Sequence, residues 1–348
     1  MQRPPTIVDV ASTAGVSRQT VSNVLNSPDI VKPETRTRVE AAIASLGYHP
    51  HESARRLRMR KSSTIGIRLD PQTDGISGSV LDRFLHALTE QAAVLGLRIL
   101  LFTARDHHDE VTQIERLRDT GDVDAFVLTS TTLGDPRTTR LAELGVSFVT
   151  FGRPWGVDDR DDPAHLWVDV DGRAGLDEAT SAYLSAGLRR VGYIGWPRGS
   201  GSGDERMRGW RDAMLGAAPD GAVLDEAALD ALCLGVEDGV SQGADALRRL
   251  RARGDVDAVV CASDSLALGA LIASGGAIPV TGFDDTPVAA AVGLSSVRQP
   301  LDEVAAGVLE LLTGAHAGRT TGGPADAPRH RLVRPRLVTR SPAQLPRP

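Results

Sequence analysis

Residues 6–26 restrict the fold more than any other part of the chain, because they carry the pattern of two short helices joined by a tight turn. Gly15 lies where the chain must turn sharply, and Ser17 is placed to cap the second helix. The apolar positions recur at helical spacing. They are Ile7, Val10, Ala11 and Ala14 in the first helix, and Val16, Val21, Val24 and Leu25 in the second.

The outer face of the second helix is polar in a way that points to DNA. Arg18, Gln19 and Asn23 fall on this face, and such side chains can make paired hydrogen bonds to base edges in the major groove. The alternative is a helical hairpin with a solvated polar face. The position of Gly15 between the two apolar patterns favours a DNA-binding helix-turn-helix.

A third helix and a short basic segment follow. Pro33 suits the first turn of a helix over 33–46, and Gly47 ends it, which completes a three-helix head. Residues 50–62 are too few to form a stable helix alone in water, so a helix here would fold only when docked. The arginines of this segment and Leu57 are typical of an element that wedges into the minor groove. The alternative is a basic tether.

Charge is distributed unevenly along the 348 residues. Residues 1–62 contain ten Lys and Arg against five Asp and Glu, whereas the remainder contains 29 against 40. A basic head on an acidic body is expected if only the head contacts phosphates. No apolar run reaches the roughly 18 residues of a membrane span, and two cysteines provide neither a disulfide framework nor a metal cluster. We therefore expect a cytoplasmic protein without a metal or cofactor.

From residue 63 onward, strand and helix patterns alternate. Short apolar strands separated by helices predict an α/β body of two doubly wound parallel sheets. The strand candidates are 64–69, 97–103, 123–129, 146–152, 191–195, 256–262 and 278–283. The helix candidates are 79–95, 109–120, 136–144, 172–187, 204–217, 239–253 and 264–274.

On these residues the chain resembles the LacI/GalR family of bacterial transcription regulators along nearly its whole length. The head carries the specific matches, and the body matches are individually weak but occur in the right order. The head matches are IVDVA (7–11), AGVS (14–17), TVS (20–22), VLN (24–26), TR (35–36), RV (38–39) and LGY (46–48). The body matches are IG (65–66), Asp171, RMRGW (206–210), SD (263–264), GFDD (282–285) and RQP (298–300).

The resemblance implies a homodimer, or a tetramer, whose paired recognition helices read a palindromic operator in double-stranded DNA. It implies a helix-turn-helix domain at 1–49, a hinge helix at 50–62 and a periplasmic-binding-protein-like effector domain at 63–340, followed by a tail at 341–348. Within the effector domain we expect a first lobe at about 63–162 and 285–316, and a second at about 163–284 and 317–340. The implied DNA contacts are Thr6, Ser17, Arg18, Gln19, Thr20, Ser22, Asn23, Asn26, Tyr48, Ala54, Leu57 and Arg58.

The chain departs from the family pattern at two places. His51 stands where the family commonly has Asn at the start of the hinge, and histidine is a poorer helix cap. The loop between Ala273 and Ile278 is also shorter than usual, which removes surface from the protein.

A small effector, most simply a carbohydrate, is expected between the lobes. Asp284 follows a predicted strand at the edge where open α/β sheets bind ligands, although it could instead cap the next loop. Arg206 could donate a forked pair of hydrogen bonds, or lie on a helix surface. Asp264 could equally belong to the N-terminal cap of a helix. Trp155, which lies beside Arg153, could equally pack a loop onto the body. With Asp70, these six residues form the expected effector site.

Two other functions compete with a regulator. An enzyme would need a catalytic motif, and the glycine-rich 199–203 is followed by neither Gly-Lys-Ser nor Gly-Lys-Thr, while no GxSxG, HExxH or CxxC occurs. A solute-binding protein of a transport system would use the same body. The helix-turn-helix and an N-terminus that lacks a signal-peptide pattern argue against transport.

Overall fold

The computed structural model describes residues 5–48, 62–70, 76, 78–156, 165–217, 226–321 and 329–340. The chain divides into two compact units, Met1–Ser62 and Ser63–Pro348, which we describe separately as the head and the body.

The head contains three helices, as the sequence predicts. They are α1 (Ile7–Ala14), α2 (Arg18–Asn26) and α3 (Pro33–Leu46), with a 3-10 turn at Pro28–Ile30. Gly15 and Gly47 end α1 and α3 with φ of 63° and 59°, a left-handed conformation that costs glycine little. The Ser17 hydroxyl accepts the N–H of Thr20, so the predicted N-cap of α2 is confirmed.

The apolar faces of the three helices form one small core. Val10, Val21 and Val39 are completely buried in it. Val16 and Leu25, which were expected on the inner side of α2, are only partly buried against this cluster. Burial of an aliphatic side chain contributes about 1.5–3 kcal/mol, so these residues are the main source of attraction between the three helices.

The described part of the body contains twelve strands and ten helices. The strands are β1 (Thr64–Leu69), β2 (Arg98–Thr103), β3 (Ala125–Leu128), β4 (Phe148–Phe151), β5 (Trp167–Val170), β6 (Val191–Gly195), β7 (Cys233–Gly235), β8 (Ala258–Cys261), β9 (Val280–Phe283), β10 (Ser295–Arg298), β11 (His330–Val333) and β12 (Arg336–Val338). The helices are α4 (Gly78–Val94), α5 (His107–Asp119), α6 (Pro136–Glu143), α7 (Gly172–Ser185), α8 (Ser202–Gly216), α9 (Glu226–Ala231), α10 (Val240–Arg253), α11 (Asp264–Ser274), α12 (Pro287–Ala291) and α13 (Leu301–Thr321).

The strands form two six-stranded sheets, and the expected two-lobed α/β architecture is confirmed. The first sheet has the order β11-β5-β4-β3-β1-β2, and the second has the order β12-β10-β9-β8-β6-β7. All neighbours are parallel except β10 and β12. In each sheet the strand order reverses beside the first strand, between β1 and β3 and between β6 and β8, as in doubly wound folds.

The lobe boundaries drawn from the sequence need correction at three strands. β5 and β11 belong to the first sheet, although both fall in segments assigned to the second lobe, and β10 belongs to the second sheet. The chain therefore passes between the sheets after β5, after β10 and after β11. Strand pairing decides these memberships: β11 pairs with β5, β5 also pairs with β4, and β10 lies between β9 and β12. The local pattern of a short strand does not contain that information.

Two features fix α8, the helix that carries Arg206. Trp210 is fully buried, and its indole N–H donates to the Val191 carbonyl on β6 at 2.9 Å. A Cβ on Gly209 would lie 2.0 Å from the Arg173 carbonyl oxygen, so only glycine allows α8 to approach α7 this closely. The RMRGW match therefore encodes the packing of the helix together with the position of its arginine.

Candidate functional site

The polar face of α2 is available to a partner. Arg18 and Gln19 are exposed in the first turn of α2, whereas Asn23 is half-buried one turn later. The Gln19 amide donates to Asn23 Oδ1 at 3.0 Å, and the Ser17 and Thr20 hydroxyls lie 2.9 Å apart. These bonds hold the side chains along one side of the helix, beside an N-terminus whose free N–H groups favour phosphate.

The remaining residues of the head that were expected to contact DNA differ in their burial and in their hydrogen bonds. Thr6 donates through its N–H and hydroxyl to Asp9 Oδ2, both at 2.7 Å, at the start of α1. Tyr48 is 7% exposed within the head core, and burial raises the pKa of its phenol. Ser22 is half-buried on α2, and Asn26 is its last residue. Ala54, Leu57 and Arg58 lie outside the described residues.

In the body, four of the six expected effector residues lie just beyond the carboxyl end of a strand. Asp70 follows β1, Arg153 lies two residues after β4, Trp155 follows on the same loop, and Asp284 follows β9. Open α/β sheets place ligands at these ends. Arg206 and Asp264 are on helices, near the starts of α8 and α11.

Arg206 is held between two aromatic rings. Its guanidinium carbon lies 3.7 Å from the Phe283 ring centroid and 5.0 Å from that of Trp196, and the residue is only 8% exposed. Its Nη1 donates to the Ala262 carbonyl, while its buried Nε has no partner among the described residues. Arg206 is therefore a buried cation with an unused donor, and the surface-arginine alternative is wrong.

Asp284 is a buried carboxylate in a strained turn. It has φ of 109° and is 4% exposed, and its Oδ1 accepts the Gln299 amide at 2.7 Å. Burial raises the pKa of Asp284 to about 7; Arg206 opposes this shift and Asp264 adds to it. Thr286, whose hydroxyl accepts the Ala289 N–H, caps α12, so the capping alternative for Asp284 is wrong.

Asp264 has its oxygens occupied inside the protein. Ser263 is the N-cap of α11, and Asp264 is the fully buried first residue of that helix. Its carboxylate accepts the Thr286 N–H at 2.7 Å and the Ser296 hydroxyl at 2.6 Å. Burial raises the pKa of Asp264 to about 6. These contacts join α11, β10 and the turn after β9, which positions Asp284.

Arg153 and Trp155 are held by neighbouring side chains. Arg153 Nε donates to Asp169 at 2.7 Å, and its Nη2 lies 3.5 Å from a Glu205 oxygen. The Trp155 indole N–H donates to the Thr131 hydroxyl at 3.1 Å, and a Cβ on Gly201 would lie 2.6 Å from its ring. Trp155 thus packs against the glycine-rich loop before α8.

Asp70 connects the first lobe's strand ends to a buried charge network. Its carboxylate accepts Arg68 and the Ser130 hydroxyl, each at 2.6 Å. Behind it, the completely buried Arg137 donates to Glu110 at 2.8 Å and to Asp135 at 2.6 Å. This network fixes the loop after β3 and, through Arg68, the direction of the Asp70 side chain.

Two polar residues beside the site were not selected from the sequence. Gln299 bonds Asp284, and Asp238 accepts the Trp196 indole N–H at 3.1 Å. Gln299 lies in the RQP match at 298–300, so this match could have indicated that Gln299 belongs to the site. Asp238 lies in an acidic loop without a recognisable pattern.

Comparison with known proteins identifies the family. Residues 6–51 match the model of bacterial regulatory proteins of the lacI family, and residues 77–297 match periplasmic binding proteins and the sugar binding domain of the LacI family. The chain belongs to the LacI family. It is therefore a helix-turn-helix transcriptional regulator with a sugar-binding type of body.

The relatives are regulators along almost their full length. The regulator is 35% identical to CelR of Thermobifida fusca, over 92% of this chain and 94% of that protein. It is 30% identical to GalR of Escherichia coli strain K12, over 88% of each. These relatives favour transcription over transport and are not described as enzymes.

Solved structures support the same architecture. A CelR–cellobiose complex superposes with a TM-score of 0.68 at 30% identity, covering 97% of this chain and all of that chain. A lac repressor dimer bound to operator and the anti-inducer ONPF gives a TM-score of 0.77 at 21% identity, covering 98% and 99%. The second likeness concerns the fold alone.

Proposed function

We propose that the regulator is a repressor that binds a palindromic operator and is released when a small sugar binds between the lobes of its body. The exposed Arg18–Gln19 face at the capped start of α2 is the observation that carries the DNA-binding part of this proposal. Arginine and glutamine can read guanine and adenine, respectively, by paired hydrogen bonds. The excess of basic residues in 1–62 supports contact with phosphates.

The proposed effector contacts are Arg206, Asp284 and Asp70. Arg206 has an unused donor, and Asp284 and Asp70 have acceptor oxygens, which together suit the hydroxyl groups of a sugar. Trp196 and Phe283 flank Arg206 with apolar ring surface, a combination typical of small-molecule sites. Arg153, Trp155 and Asp264 serve as supports. The Trp155 indole and both Asp264 oxygens are bonded within the protein, and Arg153 is bound through its Nε to Asp169.

A glucose disaccharide is the first effector to test. The CelR structure contains cellobiose, and CelR matches this regulator along nearly all of both chains. We propose a carbohydrate of similar size for the regulator, because carboxylates, a guanidinium and aromatic rings lie at the carboxyl ends of its strands and at the start of α8.

The proposed mechanism has two states. Without sugar, the lobes hold the paired hinge segments in the arrangement that binds operator. Sugar bound to the second lobe at Asp284 and Arg206 and to the first lobe at Asp70 favours another arrangement of the lobes. Differential affinity of the sugar for the two arrangements then lowers the operator affinity.

The proposed partners are operator DNA, the sugar and a second copy of the chain, as a dimer or a tetramer. A regulator that acts on DNA would work in the cytoplasm. None of the helices in the described part of the chain is long and apolar enough to cross a membrane. We propose no catalytic activity and no cofactor.

Fluorescence anisotropy with fragments of the host genome tests the DNA-binding proposal. We expect one class of fragments to bind at moderate salt, with a steep loss of affinity as salt rises, because bound phosphates release counterions. Cellobiose and a panel of mono- and disaccharides are then added to the complex. Absence of any sequence-specific complex would contradict the repressor assignment.

A further inference from the structure

Arg83 connects the two lobes at the turn that carries Asp284. It lies on α4, which packs against β2 and α13 of the first lobe. Its Nη1 donates to the Asp285 carbonyl at 3.1 Å and lies 3.4 Å from the Asp284 carbonyl. Both carbonyls belong to the turn after β9 of the second lobe.

This turn is held tightly from its own lobe. Asp284 and Asp285 have φ of 109° and 50°, and two consecutive non-glycine residues with positive φ are costly and need support from their surroundings. The Asp285 carboxylate accepts the Arg298 Nε–H at 2.5 Å, and Arg340 Nη1 forms an ion pair with its other oxygen at 2.6 Å. Since the turn is rigid within the second lobe, a hydrogen bond from the first lobe to its carbonyls depends on the position of the whole second lobe.

We propose that Arg83 is a positioning residue that links the Asp284–Asp285 turn to the first lobe and thereby restricts the relative arrangement of the lobes, together with the Arg153–Glu205 pair. The proposal rests on the proposed function only in assigning Asp284 to the effector site. A hydrogen bond weakens steeply with distance and angle, so a sugar that moves the turn relative to α4 must break or strengthen this link. Arg83 would then connect effector binding to lobe movement.

The same helix offers a matched control. Gln91 donates to the Asp302 carbonyl at 3.1 Å, and this bond stays within the first lobe, because α13 packs on the first sheet. Gln91→Ala therefore removes a side-chain-to-carbonyl bond of α4 without touching the second lobe. Arg83→Lys keeps the positive charge and removes the fork of donors, whereas Arg83→Met removes both.

The test is a distance measurement between nitroxide labels in the full-length, ligand-free protein. Labels are attached at Arg116→Cys on α5 and Arg249→Cys on α10, two exposed positions in different lobes. The background carries Cys233→Ser, and Cys261 is completely buried. Labelled protein is diluted with unlabelled protein so that each assembly carries one labelled chain.

We expect one dominant interlobe distance for the parent protein and for Gln91→Ala. Arg83→Met should give a broader distribution with a longer mean, and Arg83→Lys an intermediate one. A distribution for Arg83→Met equal to that of the parent would overturn the proposal. Equal broadening by Gln91→Ala would overturn it as well, since the effect would then come from the packing of α4. The measurement needs neither operator nor sugar. It therefore still decides the role of Arg83 if the protein proves not to be a repressor.

Discussion

The proposed DNA face of the head and the proposed effector site of the body use polar side chains in opposite ways. On α2, Arg18 and Gln19 project from a short helix, and their neighbours along the sequence determine their direction. In the body, Arg206 and Asp284 are buried, and their surroundings come from strands and helices far apart in the chain. Local sequence therefore defines the first surface, and tertiary contacts define the second.

The largest effect should come from breaking the buried network behind Asp70. Arg137→Met removes the arginine bound to Asp135 and one of the two arginines that pair with Glu110, and removal of one partner of a buried ion pair costs about 3–5 kcal/mol of unfolding free energy. Arg140→Met, on the same helix, removes only half-exposed ion pairs and should cost less than about 1 kcal/mol. Urea unfolding measures both. Equal effects would mean that the network adds nothing to stability.

Arg206→Met should weaken sugar binding by about 1.5–3 kcal/mol, the value of a hydrogen bond to a charged group. Operator affinity without sugar should stay within about twofold of that of the parent protein. Arg206 belongs to the body, whereas α2 belongs to the head, which is a separate compact unit. Calorimetry with cellobiose measures the first quantity. Arg208→Met, an exposed position on α8, is the control. Undiminished sugar affinity in Arg206→Met would remove this residue from the site.

Gln19→Ala should weaken operator binding by about 1–3 kcal/mol and relax the base preference at one position of each half-site. Thr37→Ala, an exposed position on α3, should bind as the parent protein does. Anisotropy titrations with operators carrying single base changes give both quantities. A uniform loss across all operators would instead assign Gln19 to phosphate contact.

The buried carboxylates of the crevice predict a pH dependence of stability. The pKa of Asp284 is raised to about 7 by burial, so the folded state holds a proton that the unfolded chain releases near its ordinary pKa of 3.8. Stability is therefore lost as pH rises from about 4 to about 7. Asp284→Asn cannot titrate, and its unfolding free energy should fall less than that of the parent protein over this range. Identical pH profiles would contradict the raised pKa.

The smallest effect is expected at the start of the recognition helix. Ser17→Ala removes the acceptor of the Thr20 N–H and should cost about 1 kcal/mol of head stability. Thermal unfolding followed by circular dichroism would detect this loss. Ser45→Ala, whose hydroxyl bonds the Ala42 carbonyl within α3, provides the control. If both variants lose the same stability, the cap has no special role.

The sequence predicts elements well where pattern and partner are local. The bounds expected for β1, β6 and α11 match those of the structure, because each is a largely apolar segment with clear ends. β10 was missed, because three of the four residues in its sequence SSVR are polar and it becomes a strand by pairing with β9. β7 and β12 have only three residues each, which is too short to show the periodic apolar pattern from which strands are predicted.

The candidate site shows the same division. The strand-end position of Asp284 agrees with the prediction from its motif, whereas the sequence left open whether Arg206 lies on the surface, and the structure buries it. The roles of Asp264 and Arg153 did not follow from the sequence, because each depends on acceptors or donors that the fold brings from distant segments. Asp264 is bonded by Thr286 and Ser296, and Arg153 by Asp169.

One titration separates the two proposed roles, in which residues of the head bind DNA and a different set of residues in the body binds sugar. Operator affinity is measured by anisotropy with and without saturating cellobiose for the parent protein, Gln19→Ala and Asp284→Asn. We expect that cellobiose releases the parent protein, that Gln19→Ala binds operator weakly but keeps the same fold-change, and that Asp284→Asn binds normally and is not released. Normal release of Asp284→Asn by cellobiose, or loss of operator binding in that variant without sugar, would contradict this division of roles between head and body.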